Sequence, residues 1–503
     1  MIKKIILFGD FKIYESKALK TASVMRLAYA LRKKGYNVKQ VHHCTNFTID
    51  ELRQILTDFS AGEKVCVCVS TSFMAGIDRQ NTNLSKMVEG KIGRGWGTKS
   101  FLFLLNIGKL CQEFNYPYLL GGWEILKDNI KLNRIWGYDT ISKYVTYFVQ
   151  GKDTDIIEDV CNDKPIEFEL IQGTKKLAYS KGALDFSDCA STLTHDDFIN
   201  VGESVCTEVA AGCIFSCSFC TYAALGKKKN EYTRSYESFE KEIVENYNNF
   251  KIDFYTLTDN IVNDTPEKLR YLIDLKNKTG IDFKWTGYVR LDTIQSKDQA
   301  RMLKESGMVG ANFGIESMYK KSGPYIGKMT DKVRLIKSLE IMRDVFEDDA
   351  ILTGLFITGL PEEPIDHMIE TFNWLNSSEG RHLLDSYTHT ALIIFNDNNS
   401  KNDINKSRNN PFRDYNVIKS RTWTSPWCTS DQAVDLAREF TVKKPNPLSS
   451  FCLPYFTNIG YDLKELIKYI RQCGKDNVPV TFDFKSEINS YIQEYKRKVL
   501  NKP

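Results

Sequence analysis

Three closely spaced cysteines are the residues of this sequence best suited to chemistry. Cys213, Cys217 and Cys220 stand in the run GCIFSCSFCTY, which begins at residue 212. Three thiolates at C-x3-C-x2-C spacing can each ligate one iron of a [4Fe-4S] cluster, and the fourth iron then lacks the cysteine that most clusters supply. An iron with an open coordination position can bind a reactant. A cluster that only transfers electrons does not need such a position.

A simpler interpretation is that these thiols bind zinc or are only buried, since a free cysteine often behaves as a small core residue. Structural zinc sites usually have four ligands. The nearest Cys or His after Cys220 is His367, so the local sequence supplies no fourth ligand. The spacing therefore favours the cluster.

The cysteine run resembles the motif of the radical S-adenosylmethionine (SAM) superfamily, in which an aromatic residue, here Phe219, precedes the third cysteine. The resemblance implies that the open iron binds the amino and carboxylate groups of SAM. It also implies that reduction splits the sulfonium and releases a 5'-deoxyadenosyl radical.

The sequence that must hold this loop alternates strands and helices from Ser204 onward. We predict strands at 205–210, 253–258, 283–289, 309–315, 350–358 and 388–395, and helices at 235–249, 265–279, 296–307, 330–346 and 363–376. Six strands and five helices suit an open (β/α)6 partial barrel, the core that the resemblance implies. Active sites of parallel barrels lie at the carboxyl ends of the strands, and the cysteine loop directly follows the first strand.

Later strand ends carry further matches to the superfamily. The residues at which the resemblance implies SAM contacts are Asp259 and Asn260 after the second strand, Arg290 after the third, Glu316 and Ser317 in the Gly-x-Glu-Ser element of the fourth, and Gly354 and Gly359 in the run GLFITGLPE of the fifth. Arg290 could bind the methionyl carboxylate through two parallel hydrogen bonds, or it could form an ordinary salt bridge with Asp292. Glu363 departs from the family pattern, which places Gly-Glu at this turn.

Residues 1 to about 165 predict a second α/β region, with alternating strands and helices typical of a doubly wound parallel sheet. The predicted strands are 3–8, 37–42, 65–70, 118–120 and 147–149, and the helices are 17–34, 48–59 and 101–114. Ligands of such sheets bind beyond the carboxyl ends of the strands. Small residues lie at these ends, namely Ser70, Ser72, Gly121, Gly122 and Gly151, although any single glycine can equally serve a tight turn.

This region is similar to the cobalamin-binding domain that precedes many radical SAM cores. The runs LLGG at 119–122 and YFVQG at 147–151 are similar to the fourth and fifth strands of that domain. The D-x-H-x-x-G segment of His-ligating cobalamin domains is absent, and His42 and His43 lack its Asp and Gly. Relatives without the segment include cobalamin binders and proteins that keep the domain without the cofactor, so cobalamin stays an open alternative.

The domain organisation predicted from the sequence has four parts: an N-terminal domain at 1–165, a connector at 166–200, the radical SAM core at 201–395 and a mostly helical C-terminal segment at 396–503. The Gly-rich stretch 81–98 predicts either a substrate lid or a plain surface loop. Residues 396–414 predict a linker, and the segment after it predicts helices at 430–440, 462–472 and 485–499.

Composition narrows the class of protein further. The 503 residues include 68 Lys and Arg and 64 Asp and Glu, which gives a net charge of +4. This balance does not indicate a nucleic-acid-binding surface. No stretch approaches the roughly 18 apolar residues of a membrane span, and no signal peptide is evident. Thirteen scattered cysteines without a small-secreted-domain pattern favour reduced thiols and a cytoplasmic location.

The sequence therefore predicts a radical SAM enzyme that attacks an unactivated C–H bond, with methyl transfer as the outcome if cobalamin binds. Two alternatives stay open: a cobalamin-independent rearrangement, cyclisation or oxidation, and a non-enzymatic iron–sulfur redox or sensor protein. An electron donor such as flavodoxin or ferredoxin is the expected partner. The substrate is unknown, and the sequence identifies no catalytic residue beyond the cofactor ligands.

Overall fold

The protein is described from a computed structural model, which defines residues 1–503 except 12–18, 73, 75–93, 96–97, 123–124, 126–129, 131–134, 137, 152–153, 182–190, 211, 221–232, 395–410, 420–421, 444–447, 477–483 and 502–503. The predicted insertion at 81–98 and the predicted linker at 396–414 lie almost entirely outside the described residues. Contacts divide the chain into two compact units. The first comprises Met1–Cys206, Glu237–Ile252 and Asp483–Pro503, and the second comprises Thr207–Tyr236 and Asp253–Phe482.

The first unit contains a seven-stranded sheet, which we call the N-terminal sheet. Its strands lie in the order Asn37–Val41, Lys4–Phe8, Val65–Ser70, Tyr118–Gly121, Tyr147–Gln150, Lys175–Tyr179 and Phe168–Ile171. Neighbouring strands pair in parallel except the last two, which are antiparallel. Helices in this unit include Ala22–Lys33, Ile49–Ser60, Thr98–Glu113 and Asp155–Cys161. The predicted doubly wound fold is confirmed.

The strand Val65–Ser70 shows why the sheet has a covered layer on each face. All six of its residues are buried, and successive side chains of a strand point to opposite faces. Its valines join one hydrophobic core, while Cys66 and Cys68 join the other. The helix Ile49–Ser60 begins with a capping box, in which Thr48 and Glu51 each accept a hydrogen bond from the other's backbone N–H.

Residues 166–200, which the sequence predicted as a connector, add a hairpin to the N-terminal sheet. The strands Phe168–Ile171 and Lys175–Tyr179 pair antiparallel. Phe168 and Leu170 lie on the edge strand and stay 41% and 54% exposed. The run IEFEL at 166–170 alternates apolar and acidic residues, which is typical of a strand, so the sequence carried a signal that the prediction missed.

A six-stranded sheet, which we call the core sheet, has its strands in the order of the sequence: Val205–Thr207, Phe254–Leu257, Lys284–Val289, Met308–Glu316, Ile351–Thr358 and Ser386–Ala391. The last five strands lie in the second unit and pair in parallel, whereas the first crosses the boundary between the units after Cys206. The five predicted helices are Tyr236–Phe250, Pro266–Thr279, Lys297–Glu305, Lys332–Phe346 and Ile365–Asn376. The first of these helices belongs to the first unit from Glu237 onward. All six predicted strands and all five predicted helices are present.

The chain after the core sheet is divided between the two units. The helices Ser430–Lys443, Leu453–Asn458 and Leu463–Asp476 belong to the second unit, together with the hairpin Asn416–Lys419 and Thr422–Thr424. The final helix, Phe484–Asn501, belongs to the first unit, where Tyr495 and Val499 join a hydrophobic core. None of the described helices is long and apolar enough to cross a membrane.

A buried ion network stabilises the second unit. Asp385 precedes the sixth core strand, and its carboxylate oxygens lie 3.0 Å from Arg343 Nη2 and 2.8 Å from Arg471 Nη1. The Leu352 N–H also donates to Asp385, at 2.7 Å. The aspartate thereby links two helices to the fifth core strand. Losing one partner of a buried pair is costly, because the remaining charges are left uncompensated.

We therefore expect Asp385→Ala to lower the free energy of unfolding of the second unit by about 3–5 kcal/mol. The control is Asp298→Ala, which removes a carboxylate from an exposed pair with Arg301 and should cost no more than about 1 kcal/mol. Urea unfolding followed by tryptophan fluorescence measures both. Equal losses in the two variants would contradict the assignment.

Candidate active site

The loop that carries the three cysteines lies at the carboxyl end of the first core strand. Cys220 N–H donates to the Cys217 carbonyl at 3.0 Å, which closes a turn between these two residues. Ser218 holds the loop through its Oγ, which donates to the Tyr325 carbonyl at 2.9 Å. Among the described cysteines, only Cys213 and Cys220 are not buried. The loop therefore contains the described thiols that a ligand from solution can reach.

The thiols of this loop sit in a partly desolvated environment. Burial raises the pKa of the Cys213 and Cys217 thiols, and nearby Lys328 and Arg290 oppose this rise at Cys217. Across the described residues, no three His, Cys, Asp or Glu side chains gather as ligands of one metal ion. Thiolates on a cluster attach to separate irons, so they need not converge on one point.

Asp259 anchors the chain immediately before the cysteine loop. Its carboxylate is fully buried and accepts hydrogen bonds from the backbone N–H groups of Val209 and Ala210, at 2.9 and 2.8 Å. Lys268 Nζ lies 3.2 Å from the same carboxylate. Burial raises the pKa of Asp259, while Lys268 and these N–H groups lower it. A carboxylate with these partners positions the chain before the loop, and the contact of Asp259 with SAM stays a prediction.

Arg290 forms the salt bridge that the sequence analysis left open as one alternative. Its Nε and Nη2 lie 2.6 and 2.9 Å from the two carboxylate oxygens of Asp292. Its Nη1 lies 3.6 Å from Cys217 Sγ, and Nη2 donates to the Gly327 carbonyl at 3.1 Å. The guanidinium thus bridges the third strand end and the cysteine loop. Binding of a methionyl carboxylate by Arg290 stays a prediction.

Glu316 lies at the end of the fourth core strand and pairs with a residue that the sequence analysis missed. Lys328 Nζ is 2.8 Å from Glu316 Oε1, with side chains only 7% and 10% exposed. A Cβ at Gly314 would lie 2.6 Å from that oxygen and 2.7 Å from Lys328 Nζ. The ion pair between Glu316 and Lys328 therefore occupies the space that a side chain at Gly314, the glycine of the Gly-x-Glu-Ser element, would need. Glu316 also has φ +66°, a left-handed conformation costly for any residue with a Cβ.

The glycines predicted to contact SAM along the fifth core strand are required by packing. Gly359 has φ +88°, and a Cβ there would lie 2.5 Å from the Trp423 ring. A Cβ at Gly354 would lie 2.8 Å from the Phe356 ring, and Gly354 is buried within the sheet. Chain contacts alone therefore account for both glycines, and their contact with adenine stays a prediction.

Two polar residues at the strand ends complete the candidate SAM site. Ser317 is buried, and its Oγ accepts a hydrogen bond from the Tyr319 N–H at 2.9 Å. Asn260 is partly exposed. Nearby Asn263, which no motif indicated, accepts from the Arg290 N–H at 2.7 Å and donates to the Arg290 carbonyl at 3.0 Å. Asn263 therefore fixes the backbone from which the guanidinium extends.

The small residues predicted to face a corrin lie at the carboxyl edge of the N-terminal sheet. Gly122 has φ +108°, and a Cβ there would lie 2.7 and 2.8 Å from the backbone nitrogens of Ser72 and Thr71. A Cβ at Gly151 would lie 2.3 Å from Ser180 Cβ. Both glycines thus permit close approach between segments of the same unit. A Cβ at Gly121 would make only an ordinary contact, 3.5 Å from the Val149 carbonyl.

Ser70 and Ser72 differ in their solvent exposure. Ser70 is 8% exposed, with its Oγ 3.2 Å from Ser23 Oγ, whereas Ser72 is partly exposed. Ser70 is therefore the buried member of the predicted set, whereas Ser72, Gly121 and Gly122 are partly exposed and Gly151 is exposed. Lys152 and Asp153, which follow the run YFVQG, lie outside the described residues.

Both histidines near this edge are buried within the chain. His42 is buried, with Nδ1 accepting from the Thr21 N–H at 3.2 Å and Nε2 lying 3.2 Å from Gln40 Oε1. Burial holds the pKa of His42 well below its usual value. The buried His43 ring packs edge-on against the rings of Tyr491 and Tyr495.

Comparisons with known proteins agree with this architecture. Residues 207–375 match the family model of the radical SAM superfamily, and no curated protein sequence matches this chain significantly. The solved structure of the radical SAM methyltransferase TsrM from Kitasatospora setae, with cobalamin and a [4Fe-4S] cluster bound, shares 12% identity at a TM-score of 0.55, over 100% of this chain and 99% of that chain. The structure of the cobalamin-dependent SAM radical enzyme OxsB, with aqua-cobalamin and SAM bound, shares 12% identity at a TM-score of 0.56, over 99% of this chain and 84% of that chain. At such identities the likeness shows a shared fold.

Glu363 should make the stability of the second unit depend on pH. Burial raises the pKa of its carboxyl from 4.5 to about 8, and a hydrogen bond with Ser317 opposes the rise. Between these values the folded chain holds a proton that the unfolded chain has lost. The contribution of the Glu363 carboxyl to the free energy of unfolding is therefore largest below pH 4.5, and it decreases as the pH rises toward about 8.

We expect Glu363→Gln to remove this loss. Relative to the wild type, its free energy of unfolding should rise by about 1.4 kcal/mol per pH unit within that window, measured by urea unfolding at several pH values. Glu305→Gln, at an exposed carboxyl of the same unit, is the control. Parallel pH profiles for the wild type and Glu363→Gln would contradict the assignment.

Proposed function

Because the chain contains a radical SAM domain at residues 207–375 and has the fold of radical SAM enzymes, we propose that it reductively cleaves S-adenosylmethionine at a [4Fe-4S] cluster. Cys213, Cys217 and Cys220 hold that cluster. The observation that supports this most directly is the cysteine loop itself. It holds the only described thiols that are not buried, and it follows the first strand of the matched domain.

The residues around the loop have distinct tasks in this proposal. When bound, the reduced cluster would supply one electron to the sulfonium of SAM, whose C–S bond would break to give methionine and a 5'-deoxyadenosyl radical, and this radical would take a hydrogen atom from an unactivated C–H bond. Asp259 and Arg290 fix the loop through Val209, Ala210 and Cys217. Asn260, Glu316 and Ser317 lie at neighbouring strand ends, where they bind the polar groups of SAM. A low-potential donor of the flavodoxin or ferredoxin class supplies the electron.

The finer proposal is methyl transfer with cobalamin bound at the carboxyl edge of the N-terminal sheet. The doubly wound sheet and the partly exposed Gly121 and Ser72 support it. Two solved structures of the same fold, those of TsrM and OxsB, contain a cobalamin. Because His42 and His43 are engaged within the chain, the corrinoid is held without a histidine ligand.

A second candidate is radical chemistry without cobalamin, giving rearrangement, cyclisation or oxidation. The observation that favours it is the packing at Gly122 and Gly151. Contacts with Ser72 and Ser180 account for both glycines, so neither is evidence of a corrin site. Corrinoid binding therefore decides between the two candidates.

The first prediction concerns the cluster. The reconstituted wild type should hold one [4Fe-4S] cluster and release 5'-deoxyadenosine and methionine from SAM under strong reductant. The Cys213/Cys217/Cys220→Ala variant should lose both, because it lacks the thiolates. Iron and sulfide analysis, EPR spectroscopy and chromatography of the products measure these outcomes.

The matched control for this variant is Cys452→Ala with Cys473→Ala, which removes two buried thiols from the same unit. It should keep the cluster. Full cluster content in the triple variant would contradict the proposed ligands. A cluster-replete wild type that produces no 5'-deoxyadenosine would favour the redox or sensor alternative.

The second prediction concerns cobalamin. The wild type reconstituted with cobalamin should retain it through desalting and show a base-off, His-off absorption spectrum. Turnover should then yield S-adenosylhomocysteine as well as 5'-deoxyadenosine. Gly121→Trp should abolish retention, because the indole would cover the strand edge at a position where the backbone tolerates a side chain.

The control is Lys64→Trp, which places the same bulk at an exposed site before the neighbouring strand, at its opposite end. It should bind corrinoid as the wild type does. Absence of corrinoid from the wild type, or equal retention by Gly121→Trp, would replace methyl transfer by the cobalamin-independent candidate.

A further inference from the structure

Two cationic side chains with little solvent exposure, those of Arg290 and Lys328, lie close to the cysteine loop. The sequence motifs assign neither of them an effect on the cysteines. Arg290 Nη1 lies 3.6 Å from Cys217 Sγ, and Arg290 Cζ lies 3.8 Å from the centroid of the Phe215 ring. Lys328 Nζ lies 5.9 Å from the centroid of the Phe219 ring, next to Cys220. The side chains of Arg290 and Lys328 are only 8% and 7% exposed. Solvent therefore screens their charges weakly.

Each cation is paired with one carboxylate that the fold also holds in place. Asp292 binds Arg290 through both oxygens and also accepts from the Met329 N–H at 3.2 Å. Glu316 binds Lys328 at 2.8 Å. The positive charge near the sulfur atoms is thus partly compensated by two carboxylates fixed in position.

Such charges change the reduction potential of a cluster bound to these thiols. Reduction adds one electron, and hence one negative charge, to the cluster and its thiolates. Hydrogen bonds to the sulfur atoms and nearby positive charge stabilise the more negative state, which raises the reduction potential. In a desolvated site this effect is larger than in water. The neighbouring carboxylates act in the opposite direction.

We propose that Arg290 and Lys328 raise the reduction potential of the cluster, and that Asp292 and Glu316 limit the increase. This inference rests on the proposed function, since it requires a cluster on Cys213, Cys217 and Cys220. It assigns to the two ion pairs control over how readily a low-potential one-electron donor reduces the cluster. A purely structural role, in which Arg290 only holds the loop against Phe215 and Gly327, predicts no shift of the potential.

Electrostatic control predicts shifts of opposite sign for the two members of each pair. Arg290→Gln and Lys328→Gln remove positive charge, so the potential should become more negative. Asp292→Asn and Glu316→Gln leave each cation uncompensated, so the potential should become less negative. For the Arg290 pair we expect the ratio of reduced to oxidised cluster at a fixed potential to change about tenfold, which is about 59 mV for a one-electron couple.

The experiment is an anaerobic redox titration of the reconstituted full-length protein, followed by the EPR signal of the reduced cluster. SAM is omitted, so that any effect of Glu316 on SAM binding does not enter the measurement. Samples are matched by iron content. The controls are Arg301→Gln and Asp298→Asn, which alter an exposed ion pair of the same unit and should leave the potential unchanged.

Opposite shifts within both pairs support the inference. If Arg290→Gln fails to hold the cluster, the Lys328 and Glu316 variants provide the same test independently. Shifts of one sign throughout, or potentials equal to that of the wild type, would overturn this inference and leave the proposed function standing. A wild type that holds no cluster would overturn both.

Discussion

The buried carboxylate of Asp259 is the constraint on which the position of the cysteine loop depends. It accepts from the N–H groups of Val209 and Ala210, just after the first core strand, where an unpaired donor would cost about 1–3 kcal/mol if buried. The second core strand thereby sets where the loop leaves the sheet. Lys268, on the following helix, compensates the buried charge. The point at which the chain enters the cysteine loop is therefore set by packing between neighbouring strands.

Ion pairs also fix side chains at the third and fourth strand ends. Arg290 pairs with Asp292, two residues further along the same strand end, and Glu316 pairs with Lys328. Each pair holds its charged side chains in one conformation without a ligand, which is the kind of preorganisation that reduces the cost of binding or reaction at a polar site. The left-handed backbone at Glu316 is a local cost that this arrangement offsets.

The elements predictable from the sequence are those whose signal is local. Buried core strands and amphipathic helices carry their periodicity in a short window, and the capping box at Thr48 is a pattern of adjacent residues. Lys328 was missed because its partner, Glu316, lies twelve residues away across a turn, and no spacing rule joins them. Asp259 was located correctly at a strand end, but its contacts with Val209 and Ala210 depend on tertiary packing. The hairpin at 168–179 was missed although its first strand carries a local signal, the alternation of apolar and acidic residues in the run IEFEL at 166–170.

The burial of the cysteines outside the loop has a consequence for the reactivity of the chain. All nine of these cysteines that the structure describes are buried. Neighbouring thiols and burial together raise the pKa of Cys66 and Cys161, and burial raises that of Cys111. Buried thiols of this kind stay protonated and react slowly with oxidants, alkylating agents and other chains. Among the described cysteines, Cys213 and Cys220 are therefore the ones that a reagent in solution reaches in the folded protein.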